Sequence, residues 1–72
     1  MGTSRLYIGN LYVRVTKDDL KDLCSHYGEV VNVKLIEGTG FGYVEMANPE
    51  EADYARRSLD GSIFKDRVLR VK

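Results

Sequence analysis

The feature that most constrains this chain is a pair of alternating segments, "VVNVKLI" at 30–36 and "FGYVEM" at 41–46, with only "EGTG" between them. Side chains that alternate with period 2 belong to strands, and so short a glycine-containing connection leaves room only for a tight turn. The two segments therefore pair as a hairpin. The same alternation sorts the side chains by face. Phe41, Tyr43 and Glu45 point one way and Gly42, Val44 and Met46 the other, while Asn32, Lys34 and Ile36 point outward and Val31, Val33 and Leu35 inward. A face that carries charge is the wet face of a half-buried strand, so two aromatic rings are expected in water beside Glu45. Such a face reads as a binding surface.

The flanking segments complete the fold. "RLYIG" at 5–9 alternates with Leu6 and Ile8 inward and Arg5, Tyr7 and Gly9 outward, which adds a third aromatic to the wet face. After the connecting "NLYVRV", Thr16 with Asp19 three residues later reads as a capping box in its Asp form, so a helix starts near Lys17. Leu20, Leu23, Cys24 and Tyr27 form its apolar stripe, and Gly28 ends it. Asn48 as N-cap and Pro49 at the first helical position open a second helix, whose narrow stripe of Ala52, Ala55 and Leu59 allows close approach to a sheet. Asp60-Gly61 closes that helix. After a short turn containing Phe64, "RVLRVK" at 67–72 reads as a final strand, with Leu69 and Val71 inward and Val68, Arg70 and Lys72 outward. The order is β-α-β-β-α-β: an α+β, ferredoxin-like arrangement in which a four-stranded antiparallel sheet carries both helices on one face. The first and third strands are central in this topology, so Tyr7, Phe41 and Tyr43 should meet on the bare face.

Seventy-two residues suffice for one small domain, read here as spanning 1–72 with Met1–Ser4 as a flexible start. With 43% hydrophobic and 31% charged residues the composition is that of a folded globular chain, not a membrane segment. No secretory leader is apparent, which implies an intracellular protein with no membrane partner. Cys24 is the only cysteine and His26 the only histidine, so no disulfide framework or metal-ligand set can be assembled, and neither a metal nor a cofactor is expected. Net charge is zero, which argues against holding nucleic acid mainly by counterion release.

"LYIGNL" at 6–11 and "TGFGYVEM" at 39–46 resemble the two signature motifs of the RNA recognition motif family, at the right separation and in the right topology. The resemblance implies base stacking on Tyr7, Phe41 and Tyr43, the positions that match the family's stacking aromatics. Two differences from the family pattern bear on binding. Thr39 stands where a Lys or Arg usually meets a phosphate, and the connection at 37–39 is shorter than is common, which implies a smaller grip. Cys24 stands where the family often has Phe, and Tyr54 is expected to fill part of that space. Met46 replaces an aromatic but points inward.

The bare face also carries Arg5, Lys34, Arg70 and Lys72, which read either as phosphate contacts or as solvated strand charge, and Asn32 and Glu45, which could bond base edges. Asn10 reads as a brace for the loop after the first strand. Catalysis is not expected: "NLYVRV" is a poor phosphate-cradling loop and His26 has no nucleophile paired to it by motif. The reading is a domain that stacks two to four nucleotides of single-stranded RNA, with single-stranded DNA as a further ligand and helix two as a surface for a protein partner. The alternative is a protein–protein interaction module built on the same fold.

Overall fold

The computed structural model describes residues 4–36 and 38–72; the expectations for Met1–Thr3 and for Glu37 in the hairpin turn lie outside them. The elements are β1 (Arg5–Gly9), α1 (Lys17–Ser25), β2 (Val30–Ile36), β3 (Phe41–Met46), α2 (Pro49–Leu59), β4 (Ile63–Phe64), β5 (Arg67–Val68) and β6 (Arg70–Val71). The main sheet is antiparallel in the order β2-β3-β1-β6. Helix α1 packs on β2 and β3, and α2 on β1, β3 and β6. Both helices start where the sequence places them. Thr16 Oγ1 accepts the Asp19 amide at 3.1 Å, and the Asp19 carboxylate accepts the Thr16 amide at 3.0 Å. Asn48 Oδ1 accepts the Glu51 amide at 2.9 Å, with Pro49 in the first turn, where its missing N–H costs nothing.

The core is the set of inward residues the alternation defines. Leu6, Ile8, Val44, Met46, Leu69 and Val71 from the sheet meet Leu20, Cys24, Ala52, Ala55 and Leu59 from the helices, all buried. Leu11 and Val15, from the segment read only as a connection, are also buried. That loop folds inward because the Leu11 amide bonds to the Gly40 carbonyl at 2.9 Å and the Val15 amide to the Tyr12 carbonyl at 2.9 Å. Burial pushes the Cys24 thiol up to about 11, so it packs as an apolar group and carries no thiolate at neutral pH.

Three sequence expectations need correction. Val31 does not point inward: it is 60% exposed, and Val30 packs on the core in its place. The pairing jumps from Val30 with Met46 to Asn32 with Glu45, so Val31 is the extra residue of a β-bulge, and alternation through a bulge slips by one. The stretch 67–72 is not one strand. Lys65 and Asp66 both have positive φ, 50° and 66°, the backbone signature of a tight hairpin turn, and they fold β4 and β5 into a separate two-stranded ribbon. Leu69 then turns into the core, where its amide bonds to the Ser62 carbonyl at 2.8 Å, before β6 joins the main sheet. Tyr54, finally, does not fill space beside Cys24. It lies 56% exposed and packs edge-on against Tyr27 with ring centroids 5.4 Å apart.

Candidate nucleic-acid interface

The face of the sheet opposite the helices is laid out in rows by the strand register. Paired residues of antiparallel strands share a face, so each row runs across the sheet. In the first row Asn32 pairs with Glu45 and Glu45 with Arg5. The middle row runs from Lys34 through Tyr43 and Tyr7 to Lys72, the last two exchanging backbone hydrogen bonds of 2.8 Å in both directions. Along the third row, Ile36 pairs with Phe41, the Phe41 ring lies over Gly9, and Gly9 pairs with Arg70. Every residue singled out from the sequence for this face, Arg5, Tyr7, Asn32, Lys34, Phe41, Tyr43, Glu45, Arg70 and Lys72, falls within this grid. The bulge at Val31 lies before Asn32, so it leaves the register of the rows intact.

The aromatics form a connected platform. Tyr7 and Tyr43 lie with ring centroids 6.1 Å apart and planes inclined at 55°, within the range of favourable ring pairs. Tyr7 and Phe41 are each 42% exposed, which is unusual for rings held in the two central strands of a sheet. Between them an open depression of about 420 Å³ is lined by Tyr7, Gly9, Phe41, Arg70 and Lys72. A side chain at position 9 would occupy the space against the Phe41 ring: a Cβ there would sit 3.5 Å from it. Gly9 thus keeps the floor of the depression flat.

Charge on this face is arranged around the rings. The Arg5 guanidinium stands 4.4 Å from the centroid of the Tyr43 ring and 3.5 Å from the Glu45 carboxylate. Its pKa is raised above the ordinary arginine value, first by a hydrogen bond with the Tyr7 side chain and further by Tyr43 and Glu45. Arg5 and Glu45 therefore engage each other and the platform. Lys34 on β2, Arg70 on β6 and Lys72 just after β6 extend as exposed cations on either side of the rings. Thr39, the residue in the usual basic position, donates its hydroxyl to the Ile36 carbonyl at 2.6 Å, which commits it to the turn.

The glycines of the long motif have structural roles. Gly40 has φ of +70°, and a Cβ there would lie 2.7 Å from the Leu11 carbonyl oxygen. It allows the β1–α1 loop to seat against the start of β3. Gly42 faces inward, where a Cβ would meet the Lys34 carbonyl oxygen at 2.6 Å. Asn10 braces its loop as its amide chemistry suggests. Its Nδ2 donates to the Val68 carbonyl at 2.7 Å, and Arg67 donates from Nε to the Asn10 carbonyl at 3.1 Å and from Nη2 to Asn10 Oδ1.

A ferredoxin-like α+β domain whose uncovered sheet face is a row-ordered platform of aromatics flanked by cations is thereby defined. The family model of the RNA recognition motif matches residues 6–70, and the chain belongs to that family. It is 40% identical over 68 residues to Paraspeckle component 1 of Bos taurus, a match that covers 94% of this chain and 13% of that protein. Over 72 residues it is 42% identical to the Nostoc sp. protein RbpE, whose name marks it as a candidate RNA-binding protein, with 92% of this chain and 73% of that one covered. The chain thus spans about an eighth of its animal relative and most of the Nostoc one. Among solved structures it resembles the crystal structure of RNA Binding Protein PG1, with a TM-score of 0.89, 37% identity and coverage of 97% of this chain and 92% of that one.

Proposed function

We propose that this chain is a non-catalytic RNA-binding domain that holds about two to four nucleotides of single-stranded RNA by stacking bases on Tyr7, Tyr43 and Phe41. The observation that carries the reading is the placing of these rings together on the uncovered face of the central strands, around a depression edged by Arg70 and Lys72. One base stacks on Tyr7 and the next on Tyr43, while Phe41, over Gly9, packs against the sugars or a further base. Lys34, Arg70 and Lys72 contact phosphates. Asn32 and Glu45 offer hydrogen-bonding groups to base edges at the Arg5 end of the grid. Stacking needs no 2′-hydroxyl, so single-stranded DNA is a second ligand.

An RNA ligand is in keeping with a domain that works inside the cell, and the name of the Bos taurus relative supports a nuclear location. Tyr54, exposed on the helix side and packed edge-on against the half-buried Tyr27, leaves room for a protein partner there while RNA occupies the sheet. The deciding experiment is an NMR titration with short random-sequence single-stranded RNA. Shifts centred on Tyr7, Phe41 and Tyr43 are expected. Shifts confined to α2, or none, would overturn the stacking site in favour of an interaction module.

A further inference from the structure

A second depression opens at the end of the platform, lined by Tyr12, Lys65, Asp66 and Arg67. Two chain segments run side by side between it and the first. Gly9 lines the platform depression and Tyr12 the second, three residues on; on the facing segment Arg70 lines the first and Arg67 the second, three residues back. Between the two depressions stands Asn10, bonded to Val68 and held by Arg67. Those bonds fix the β4–β5 ribbon against the end of β1, so the second depression is held in register with the platform.

Tyr12 is 41% exposed, as open as Tyr7 and Phe41, although its loop is pinned on both sides by buried Leu11 and Val15. Its ring is thus a large flat surface held in water by a fixed backbone. Lys65, at the ribbon tip, lies 5.6 Å from the centroid of the Phe64 ring and is exposed. Arg67 spends Nε and Nη2 on Asn10, and a guanidinium has five N–H donors, so others remain for a phosphate. Asp66 lines the site beside these two cations, and Lys65 also acts on the Asp19 carboxylate of α1, so the site is balanced in charge and its grip on a nucleotide rests on the Tyr12 ring with the remaining Arg67 donors and the Lys65 ammonium.

Resting on the RNA-binding reading above, we infer that Tyr12 with Lys65 and Arg67 forms an additional nucleotide subsite, which takes the base and phosphate of a single strand continuing off the platform past Gly9 and Asn10. The subsite extends the footprint beyond the sheet and supplies cations that the short β2–β3 turn and Thr39 do not.

The test compares random-sequence single-stranded RNA of three and of seven nucleotides, on wild type, Tyr12→Ala, Tyr12→Phe and Lys65→Gln, with NMR spectra of each variant as the check on folding. Wild type is expected to bind the heptamer more tightly than the trimer. Tyr12→Ala should weaken the heptamer by about 5- to 100-fold, the range of one lost stacked base, and leave the trimer within about 2-fold. Tyr12→Phe should retain heptamer affinity, and Lys65→Gln should lower it with a shallower salt dependence. Equal trimer and heptamer affinities, or a heptamer affinity indifferent to Tyr12→Ala, would overturn the subsite while leaving the platform intact. So would a Tyr12→Ala loss of the same size for both lengths. If neither RNA shifts Tyr7, Phe41 and Tyr43 in wild type, it is the RNA-binding reading itself that fails.

Discussion

Single residues in this domain divide into those that keep the platform open and those that let the backbone close behind it. Gly40 is of the second kind, and it combines two constraints that Gly38 separates. Both have positive φ, +70° and +79°, but a Cβ at Gly38 would meet nothing within 4 Å, whereas one at Gly40 would meet the Leu11 carbonyl oxygen at 2.7 Å. Gly38→Ala should cost about 1 kcal/mol for the left-handed backbone alone. Gly40→Ala should cost about 2–4 kcal/mol, because the β1–α1 loop must also move away. Urea denaturation of both variants measures the difference. Equal losses would show that the Leu11 contact yields freely.

At the scale of elements, α1 depends on its capping box more than on length. A helix of 9 residues is too short to persist on propensity, and its N-terminal amides find partners in Thr16 and Asp19. Thr16→Ala should cost about 0.5–2 kcal/mol. The Asp19 carboxyl is held below its ordinary 3.8, first by the Thr16 backbone amide and then by the Thr16 side chain and Lys65. A depressed carboxylate pKa makes its contribution above the unfolded value, and that contribution is lost as pH falls through the lower folded value. Melting temperature should accordingly drop as pH is taken below about 3.8, and Asp19→Asn should remove part of that drop. Parallel profiles for wild type and variant would contradict this role. The β2–β3 hairpin and the β4–β5 ribbon show a different dependence: in each, a tight turn sets the register, but only the first turn carries the glycines that announce it.

For the whole molecule, zero net charge conceals segregation. Asp18, Asp19, Asp22, Glu50, Glu51 and Asp53 lie on the helices against Lys17, Lys21, Arg56 and Arg57, an excess of two negative charges, and both arginines are paired with Asp53 at 3.2 and 2.9 Å. The sheet face carries Arg5, Lys34, Arg70 and Lys72 against a single carboxylate, Glu45, already paired with Arg5. A dipolar protein of this kind presents a positive face to a strand without being basic overall. For a short RNA that engages about two to three phosphates, log affinity should fall with log salt at a slope of roughly −1.4 to −2.1. Phe41→Ala or Tyr43→Ala should cost about 1–3 kcal/mol of binding at low and high salt alike, whereas Lys34→Ala or Arg70→Ala should flatten the slope. A slope steeper than about −4 would require more cations than this face holds and would sink a stacking-dominated mechanism.

Much of this protein was legible without coordinates, because its fold rests on local chemistry. Alternation named the inward residues of β1 and β3, the Thr16–Asp19 box and Asn48-Pro49 placed both helix starts, and right-handed crossovers left one sheet face bare. The composition of that face, down to Lys34 and Lys72, follows from period-2 geometry once the topology is known. What the alternation could not foresee lies where long-range contacts override it. Val31 is outside because β2 bulges to keep both ends paired with β3; the final strand is broken because Leu69 is drawn into the core; and Tyr54 finds Tyr27 instead of the core. The β1–α1 loop is the clearest case. Read along the chain, "NLYVRV" is only a connection, but Gly40, Val68 and Arg67, distant in sequence, bury Leu11, lock Asn10 and hold Tyr12 in water beside a cationic ribbon. Period and capping are properties of neighbouring residues, which a sequence displays directly. The partners of a loop are chosen by packing, which only the folded chain decides.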